Sequence, residues 1–315
     1  DAIVFDKTGT LTVGRPVVTN IIAMHRDWGP EQVLAYAASS QIHSRHPLAD
    51  AVIPSTEERR ISIPPPEECE VLVGLGMRTW ADGRTLLLGG PALLRAEKVR
   101  VSRKAANYVD ELRRQAQTPL LLAVDGTLVG LISLRDEIRP EAAEVLKKLR
   151  ANGIRRIVML TGDHPQIAEV VAGELGIDEW RAEVLADDKL AVVRKLQHEG
   201  HVVGMVGDGI NDAPALAAAD IGIAMGLAGT DVALETADVT LANDNLRHLL
   251  DVRDLGARAA EVIRQNYGMS IAVNTAGLLL GAGGALSPVL ATFLHNASSV
   301  AVVTNSSRLI RYRPA

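Results

Sequence analysis

Aromatic residues and cysteine are both scarce in this sequence. Phe, Trp and Tyr together make up 3% of its 315 residues, whereas hydrophobic residues make up 47%, so any core must be mainly aliphatic. Cys69 is the only cysteine, which excludes an internal disulfide and a metal site built from several cysteines. The net charge of −5 provides no basic surface, so nucleic acid is not an expected partner.

An acidic residue follows the first apolar run of the chain. Residues 1–5 read Asp-Ala-Ile-Val-Phe, and residues 6–12 read Asp-Lys-Thr-Gly-Thr-Leu-Thr. A short buried strand followed by a polar loop places Asp6 at the carboxyl end of that strand, where open α/β sheets bind ligands. The Lys7 ammonium and the threonine hydroxyls of the loop suit an anionic group. Asp6 can therefore attack a phosphoryl group and form an aspartyl-phosphate; an ordinary capping aspartate is the simpler alternative.

Beyond residue 134 the apolar pattern alternates between strands and helices, which predicts a doubly wound parallel sheet of the α/β class. Its strands are expected at residues 2–5, 157–160, 202–206, 221–225 and 239–241. The intervening segment contains short strands, a few helices and hairpin turns at Asp82-Gly83 and Asp125-Gly126. We interpret this segment as an α+β domain inserted after the first strand.

Three later segments are expected to meet Asp6 at the same edge of the sheet. Thr161-Gly162-Asp163 follows one predicted strand, and Asp208 and Asp212 follow another. Together with Thr8, the carboxylates of Asp6, Asp208 and Asp212 offer the hard oxygen ligands that Mg²⁺ prefers near a phosphate. Lys189 supplies a cation that offsets charge developing on a transferred group. Each segment alone is an ordinary turn or surface residue, so the prediction depends on their combination.

The motifs DKTGTLT, TGD and GDGINDAPAL occur in this order and resemble the phosphorylation core of P-type ATPases, which has the haloacid dehalogenase-like fold. The resemblance implies that ATP phosphorylates Asp6 and that the catalytic residues include Lys7, Thr8, Thr161, Gly162, Asp163 and Lys189. Asp136 with Arg139-Pro140 is similar to the family segment that links the nucleotide domain back to the core. Phosphatases of the wider superfamily carry a second Asp two residues after the nucleophile as general acid. Thr8 occupies that position here, which favours a pump over a phosphatase.

The inserted domain resembles the nucleotide domain of the heavy-metal branch of P-type ATPases. The pair His46-Pro47 and the segment Gly74-Leu75-Gly76 match the His-Pro and G-x-G motifs of that branch. The resemblance implies that ATP is bound by Gln41, His46, Pro47, Gly74 and Gly76. Gln41 stands where a Glu is usual and Gly90 where an Asn is usual, so we expect an altered ATP affinity. A potassium-type pump, which is another alternative, would lack the His-Pro pair.

Two runs near the C terminus, 267–286 and 289–305, contain no charged side chain apart from a histidine. Each approaches the ~20 residues that cross a bilayer core, so we expect a transmembrane helical hairpin. Arginines precede the first run and follow the second, which places both ends of the hairpin on the cytoplasmic side. A pair of buried soluble helices is the alternative, because the second run contains several polar residues.

The same two runs carry the residues that the resemblance connects with ion selectivity. Copper pumps have Tyr-Asn in the first helix and Met-x-x-Ser-Ser in the second, whereas this chain has Val273-Asn274 and His295-x-x-Ser298-Ser299. An imidazole suits borderline divalent ions better than a thioether does. The pattern is similar to that of actinobacterial manganese or zinc exporters, and the predicted ligands of the transported ion are Asn274, His295, Asn296, Ser298 and Ser299. Copper export is the alternative, and these polar residues could instead form helix–helix hydrogen bonds.

These interpretations give the following domain plan. The phosphorylation domain comprises 1–17 and 134–250, the nucleotide-binding domain 18–133, a stalk helix 251–265, the transmembrane pair 266–307 and a cytoplasmic tail 308–315. The resemblance implies ATP, Mg²⁺, a transported divalent metal ion, the lipid bilayer and a metallochaperone as cofactors and partners. It also implies a multi-pass protein of the plasma membrane with cytoplasmic catalytic domains. Because the chain begins one residue before a predicted core strand, we expect a fragment without the actuator domain and the earlier membrane helices.

Overall fold

The structure is a computed structural model, and it describes residues 1–44, 47–209, 211–226, 235–284 and 287–312. The strands are β1 (Ala2–Asp6), β2 (Val17–Ala23), β3 (Pro66–Leu72), β4 (Gly76–Ala81), β5 (Arg84–Gly89), β6 (Thr118–Val124), β7 (Thr127–Arg135), β8 (Arg156–Leu160), β9 (Glu179–Arg181), β10 (Val203–Gly207), β11 (Ile221–Met225) and β12 (Val239–Leu241). The helices are α1 (Pro30–Ser39), α2 (Pro47–Glu58), α3 (Pro91–Ala96), α4 (Arg103–Arg114), α5 (Ala142–Ala151), α6 (Pro165–Leu175), α7 (Ala186–His198), α8 (Ala213–Ala218), α9 (His248–Ala282) and α10 (Pro288–Ser307).

The first strand lies in the interior of a parallel sheet with the order β12-β11-β10-β1-β8-β9. Its neighbours β10 and β8 both run parallel to it, which confirms the predicted α/β class. Ala2 and Val4 of β1 are fully buried in one apolar cluster with Val193 of α7 and Leu216 of α8. All strands of this sheet point the same way, so the segments that follow β1, β8 and β10 emerge at one edge.

A second sheet is antiparallel and has the order β2-β7-β6-β5-β4-β3. Helices α1 and α2 pack on one of its faces, and α3 and α4 contribute to the apolar cluster on the other. The predicted turns at Asp82-Gly83 and Asp125-Gly126 are present, and all four residues have positive φ, as the tight turns of β-hairpins require. The structure also starts β3 at Pro66, inside the proline-rich stretch at 64–66.

The chain divides into two compact units, Asp1–Leu246 and Arg247–Ala315. In the second unit α9 is one uninterrupted helix of 35 residues. A polar cluster joins α9 to α10: the Asn305 side-chain amide donates to Asn266 Oδ1 at 2.9 Å, and the Asn266 amide donates to Ser306 Oγ at 2.9 Å.

Within the described ranges, no helix is both long enough and apolar enough to cross a membrane. The predicted transmembrane pair is therefore not confirmed. Polar residues within both predicted spans, such as Asn274, His295 and Asn296, reduce their mean hydropathy.

Candidate active site

Asp6 ends β1 and lies in a buried group of charges. The Lys189 ammonium donates to Asp6 Oδ1 at 2.6 Å and to Asp212 Oδ1 at 2.6 Å. Asp6, Lys189 and Asp212 are 5%, 6% and 0% exposed, so this arrangement is almost closed to water. Lys189 comes from the first turn of α7, and Asp212 directly precedes α8. The parallel sheet thus brings three distant segments of the chain into contact, as the sequence predicted.

One buried ammonium cannot fully neutralise two buried carboxylates, and this imbalance affects the pKa of Asp6. Burial, and then the negative charge of Asp212, raise the pKa of Asp6 from 3.8 to about 7, although Lys189 lowers it. Burial alone would lower the pKa of Lys189, but Asp6 and Asp212 raise it above its usual value. Lys189 therefore remains a cation at neutral pH, and Asp6 requires a further positive charge to be fully ionised there.

The same carboxylates fit a divalent cation. Ligand oxygens of Asp6, Asp208 and Asp212 lie within 4.8 Å of one another. Asp212 Oδ2 is buried and makes no hydrogen bond to any residue that the structure describes, so this carboxylate oxygen could serve as a ligand. Mg²⁺ is typically held by one or two carboxylates together with substrate phosphates, and this cluster can supply such carboxylates. Thr8, the fourth predicted ligand, is half-buried in the loop that follows Asp6.

Gly9 makes the approach of the two acidic segments possible. Its φ is +73°, and a Cβ at this position would lie 2.9 Å from Asp208 Oδ2. Any side chain would therefore strain the loop and push Asp208 away from Asp6.

Hydrogen bonds to the segment that follows β7 hold the loop 7–14 in place, and we call this set of bonds the clamp. Asp136 accepts a hydrogen bond from the Thr12 hydroxyl at 2.5 Å and another from the Gly14 amide at 3.0 Å. Arg139 donates to the carbonyl oxygens of Gly9 at 3.1 Å and Thr10 at 2.9 Å. Asp136 and Arg139 are recognisable in the sequence only by resemblance, and Thr12 has no predicted role in this clamp. No local pattern connects residues more than 120 positions apart.

The TGD segment lies on the other side of the loop. The Lys7 ammonium donates to Asp163 Oδ2 at 2.5 Å, while the Asp163 amide donates to Thr161 Oγ1 at 3.1 Å. Thr161 is buried and Gly162 is exposed. Lys7 therefore faces Asp163 and does not ion-pair with Asp6 in this structure, so the only ammonium bonded to Asp6 among the described residues is that of Lys189.

The candidate nucleotide residues are spread over the antiparallel-sheet part of the chain. Gln41 is 4% exposed; its amide donates to the Met77 sulfur at 3.6 Å, while its Oε1 is buried and has no hydrogen-bond partner among the described residues. Gly74 and Gly76 both have positive φ, and a Cβ on Gly76 would collide with the Leu88 carbonyl oxygen. His46 lies outside the described residues, and Pro47 begins α2.

The five candidates for the transported ion are distributed over the helical unit. Asn274 is on α9, and the other four are on α10. Only Ser298 is half-buried, and the Ser299 hydroxyl donates to the His295 carbonyl oxygen at 3.1 Å within its own helix.

Comparison with known proteins agrees with this geometry. Residues 1–220 match the family of haloacid dehalogenase-like hydrolases, and the chain belongs to this family. Over 99% of its length, it is 86% identical to a manganese-exporting P-type ATPase of Mycobacterium tuberculosis and 85% identical to a zinc-exporting P-type ATPase of Mycobacterium marinum. It covers 44% and 43% of these two proteins, so it spans less than half the length of either relative.

A solved structure extends the similarity to the fold. The crystal structure of a zinc-transporting PIB-type ATPase in the E2.Pi state is 37% identical to this chain and has a TM-score of 0.73. The match covers 98% of this chain and 50% of that protein. By sequence and by fold, the chain is a homologue of P-type ATPases.

Proposed function

We propose that this chain is the catalytic part of an ATP-driven exporter of manganese or zinc that forms an aspartyl-phosphate on Asp6. The observation that carries the proposal is the buried group of Asp6, Lys189 and Asp212, with Asp208 close by. The manganese- and zinc-exporting relatives at 86% and 85% identity support it independently.

In the proposed reaction an Asp6 carboxylate oxygen attacks the γ-phosphorus of ATP. The new O–P bond forms as the bond to the β,γ-bridging oxygen breaks, and ADP leaves with that electron pair. Lys189 would offset negative charge near the attacking carboxylate, since its ammonium already bonds to Asp6.

Asp6, Asp208, Asp212 and Thr8 are the residues that would hold Mg²⁺. A bound Mg²⁺ neutralises phosphate charge and orients the transferred group. The clamp from Asp136 and Arg139 would keep the loop oriented toward the incoming phosphate.

ATP binding is assigned to the antiparallel-sheet part. The unpartnered Gln41 Oε1 supports this, because it is an acceptor that a nucleotide amino group can satisfy. Gly76 supports it too, because its positive φ is a backbone conformation that residues with a side chain rarely adopt. His46 and Pro47 complete the proposed nucleotide set.

A simple phosphatase is disfavoured by Thr8, which stands at the position of the general acid in that class. Without an acid there to assist the second half-reaction, the aspartyl-phosphate should persist long enough to drive a conformational change.

We propose that α9 and α10 belong to the membrane part of the exporter in the plasma membrane. Their exposed apolar side chains support this: Ile271, Leu278, Phe293 and Val303 are 64%, 74%, 68% and 67% exposed. Asn274, His295, Asn296, Ser298 and Ser299 are the proposed ion ligands. An imidazole in place of a thioether favours manganese or zinc over copper. A metallochaperone remains a proposed delivery partner.

The test is acid-stable labelling of the full-length protein by [γ-³²P]ATP with Mg²⁺. Parent protein is expected to take up label that hydroxylamine removes, and Asp6→Asn is expected to reduce the label at least about a hundredfold, because an amide cannot form the acyl phosphate. Asp187→Asn, an exposed acid at the start of α7, is the matched control and should label like the parent. Equal labelling of Asp6→Asn would refute the proposal. Labelling stimulated by copper alone would overturn the choice of ion.

A further inference from the structure

A cavity of about 370 Å³ lies beside α3 and α4, which pack on one face of the antiparallel sheet. Its lining includes none of the proposed nucleotide residues Gln41, Gly74 and Gly76. Val99 and Val109 of its wall belong to the apolar cluster on the α3/α4 face. Gln41 instead contacts Met77, which shares a face of β4 with Ala81 of the α1/α2 cluster. The volume falls in the range of small-molecule sites.

The lining of the cavity is divided chemically. One part is apolar and includes Val99, Val101 and Val109. The other part consists of Arg95, Asp110 and Arg113, which provide two cations and one anion. The lining therefore carries a net positive charge beside an aliphatic surface.

Arg113 is a half-buried cation in this lining. Its Nε is buried and has no hydrogen-bond partner within the described part of the chain. Burial lowers the pKa of Arg113, and only Asp110 and Glu183 oppose that effect. Because Arg113 is partly desolvated and lines the cavity, a charged acceptor in the cavity would compensate its guanidinium.

We propose that this cavity binds a small amphipathic anion. Its aliphatic body would lie against the valines, and its carboxylate or phosphate group would accept hydrogen bonds from Arg113 and Arg95. Neither the nucleotide nor the transported ion of the proposed function fits this description, so the site would be additional to both.

Hexanoate is the probe, and isothermal titration calorimetry of the purified chain is the measurement. Hexanoate is expected to bind saturably with one molecule per chain. Hexan-1-ol, which has the body without the charge, and acetate, which has the charge without the body, should each bind at least about tenfold more weakly.

Variants locate the binding. Arg113→Gln is expected to weaken hexanoate binding about tenfold or more, and Ala106→Phe should obstruct the cavity from its exposed rim. Arg114→Gln is the matched control, because this neighbouring arginine of α4 does not line the cavity. Arg95→Gln alters an exposed lining residue and remains informative if Arg113→Gln fails to fold.

The proposal would be overturned if hexanoate showed no saturable binding, or if hexan-1-ol bound as tightly. Unchanged affinity in Arg113→Gln and Arg95→Gln would also overturn it.

Discussion

At the residue scale, the site is defined by an excess of buried carboxylate over buried cation. Asp6 and Asp212 share the single ammonium of Lys189, which therefore forms two short ion pairs. This imbalance is unfavourable, because buried charges need compensation. The divalent cation proposed for this site would restore the balance.

The raised pKa of Asp6 predicts how stability depends on pH. Folded Asp6 keeps its proton up to about pH 7, whereas the unfolded chain releases it near 3.8, so raising the pH through this window destabilises the folded state. Asp6→Asn cannot titrate and should lose less stability. In EDTA, the variant is expected to gain roughly 2–4 kcal/mol over the parent between pH 4 and pH 8, at about 1.4 kcal/mol per pKa unit. Urea unfolding at both pH values measures this.

Asp187→Asn serves as the control for that experiment, since it lies on the surface and should follow the parent at both pH values. A stability difference between Asp6→Asn and the parent that did not change with pH would contradict a raised pKa at this carboxyl.

Which residues meet at the site could be predicted from sequence, but their pairing could not. Motif order and the parallel-sheet rule predicted that Lys189, Asp208 and Asp212 approach Asp6. The structure adds that Lys189 bridges two carboxylates and that Lys7 turns to Asp163. Such choices depend on helix position and side-chain rotamer, which no spacing in the sequence encodes.

At the scale of elements, the loop after β1 is held by hydrogen bonds to the segment that follows β7. The Thr12 hydroxyl and the Gly14 amide both donate hydrogen bonds to the Asp136 carboxylate. Hydrogen bonds to a charged acceptor contribute about 1.5–3 kcal/mol each. Losing both should leave the loop free to sample conformations in which Asp6 is misaligned.

Asp136→Ala is therefore expected to slow phosphorylation from ATP by about 10–100-fold, because alignment of reacting groups accounts for a large part of catalysis. Rapid-quench labelling of the full-length protein gives this rate. Asp136→Asn is the matched control: its side-chain oxygen can still accept from Gly14, so its rate should lie between parent and alanine variant. The role of the clamp would be refuted by a parent-like rate in Asp136→Ala.

Gly76 and Gly74 provide a matched pair for the turn between β3 and β4. Both have positive φ, but only at Gly76 would a Cβ strike backbone, namely the Leu88 carbonyl. Gly76→Ala is expected to lose roughly 2–4 kcal/mol of stability, since it combines strain with a clash. Gly74→Ala, with no atom within 4 Å of its Cβ, should lose about 1 kcal/mol. The midpoints of urea unfolding compare the stabilities of the two variants. Equal losses of stability would show that the contact with the Leu88 carbonyl does not matter.

Most elements were predictable because their apolar periodicity is strong. The exceptions are short or lack a boundary signal. β9 is Glu-Trp-Arg, with one apolar side chain and no alternation, and α3 is a single stretch of six residues, so neither shows a clear apolar period. The stalk and the first predicted span are one helix, α9, and no proline separates them.

At the scale of the whole molecule, the helical unit is held together by a small polar cluster. Asn305 connects α10 to Asn266 and, at 3.3 Å, to Gln265 of α9. Only Leu249 and Val262 of α9 are buried, so few apolar contacts are available to replace these bonds.

Asn305→Ala is expected to destabilise the helix pair by about 1 kcal/mol, the usual contribution of such bonds. Thermal unfolding of this unit, followed by helical circular dichroism, is the measurement. Ser307→Ala is the control, because its hydroxyl bonds only within α10. Labelling of Asp6 should be unaffected in both variants, since Asp6 belongs to the other unit. An Asn305→Ala protein as stable as Ser307→Ala would contradict this role.

The uninterrupted course of α9 has a mechanical consequence. Its 35 residues extend for about 52 Å as a single rod. Tilting such a rod by roughly 5° displaces its far end by about 4.5 Å, which is close to one helical turn. Two helices joined by a flexible loop would lose that movement at the loop. This helix can therefore act as a lever, converting a small rotation at its charged end into an ångström-scale stroke at its apolar end.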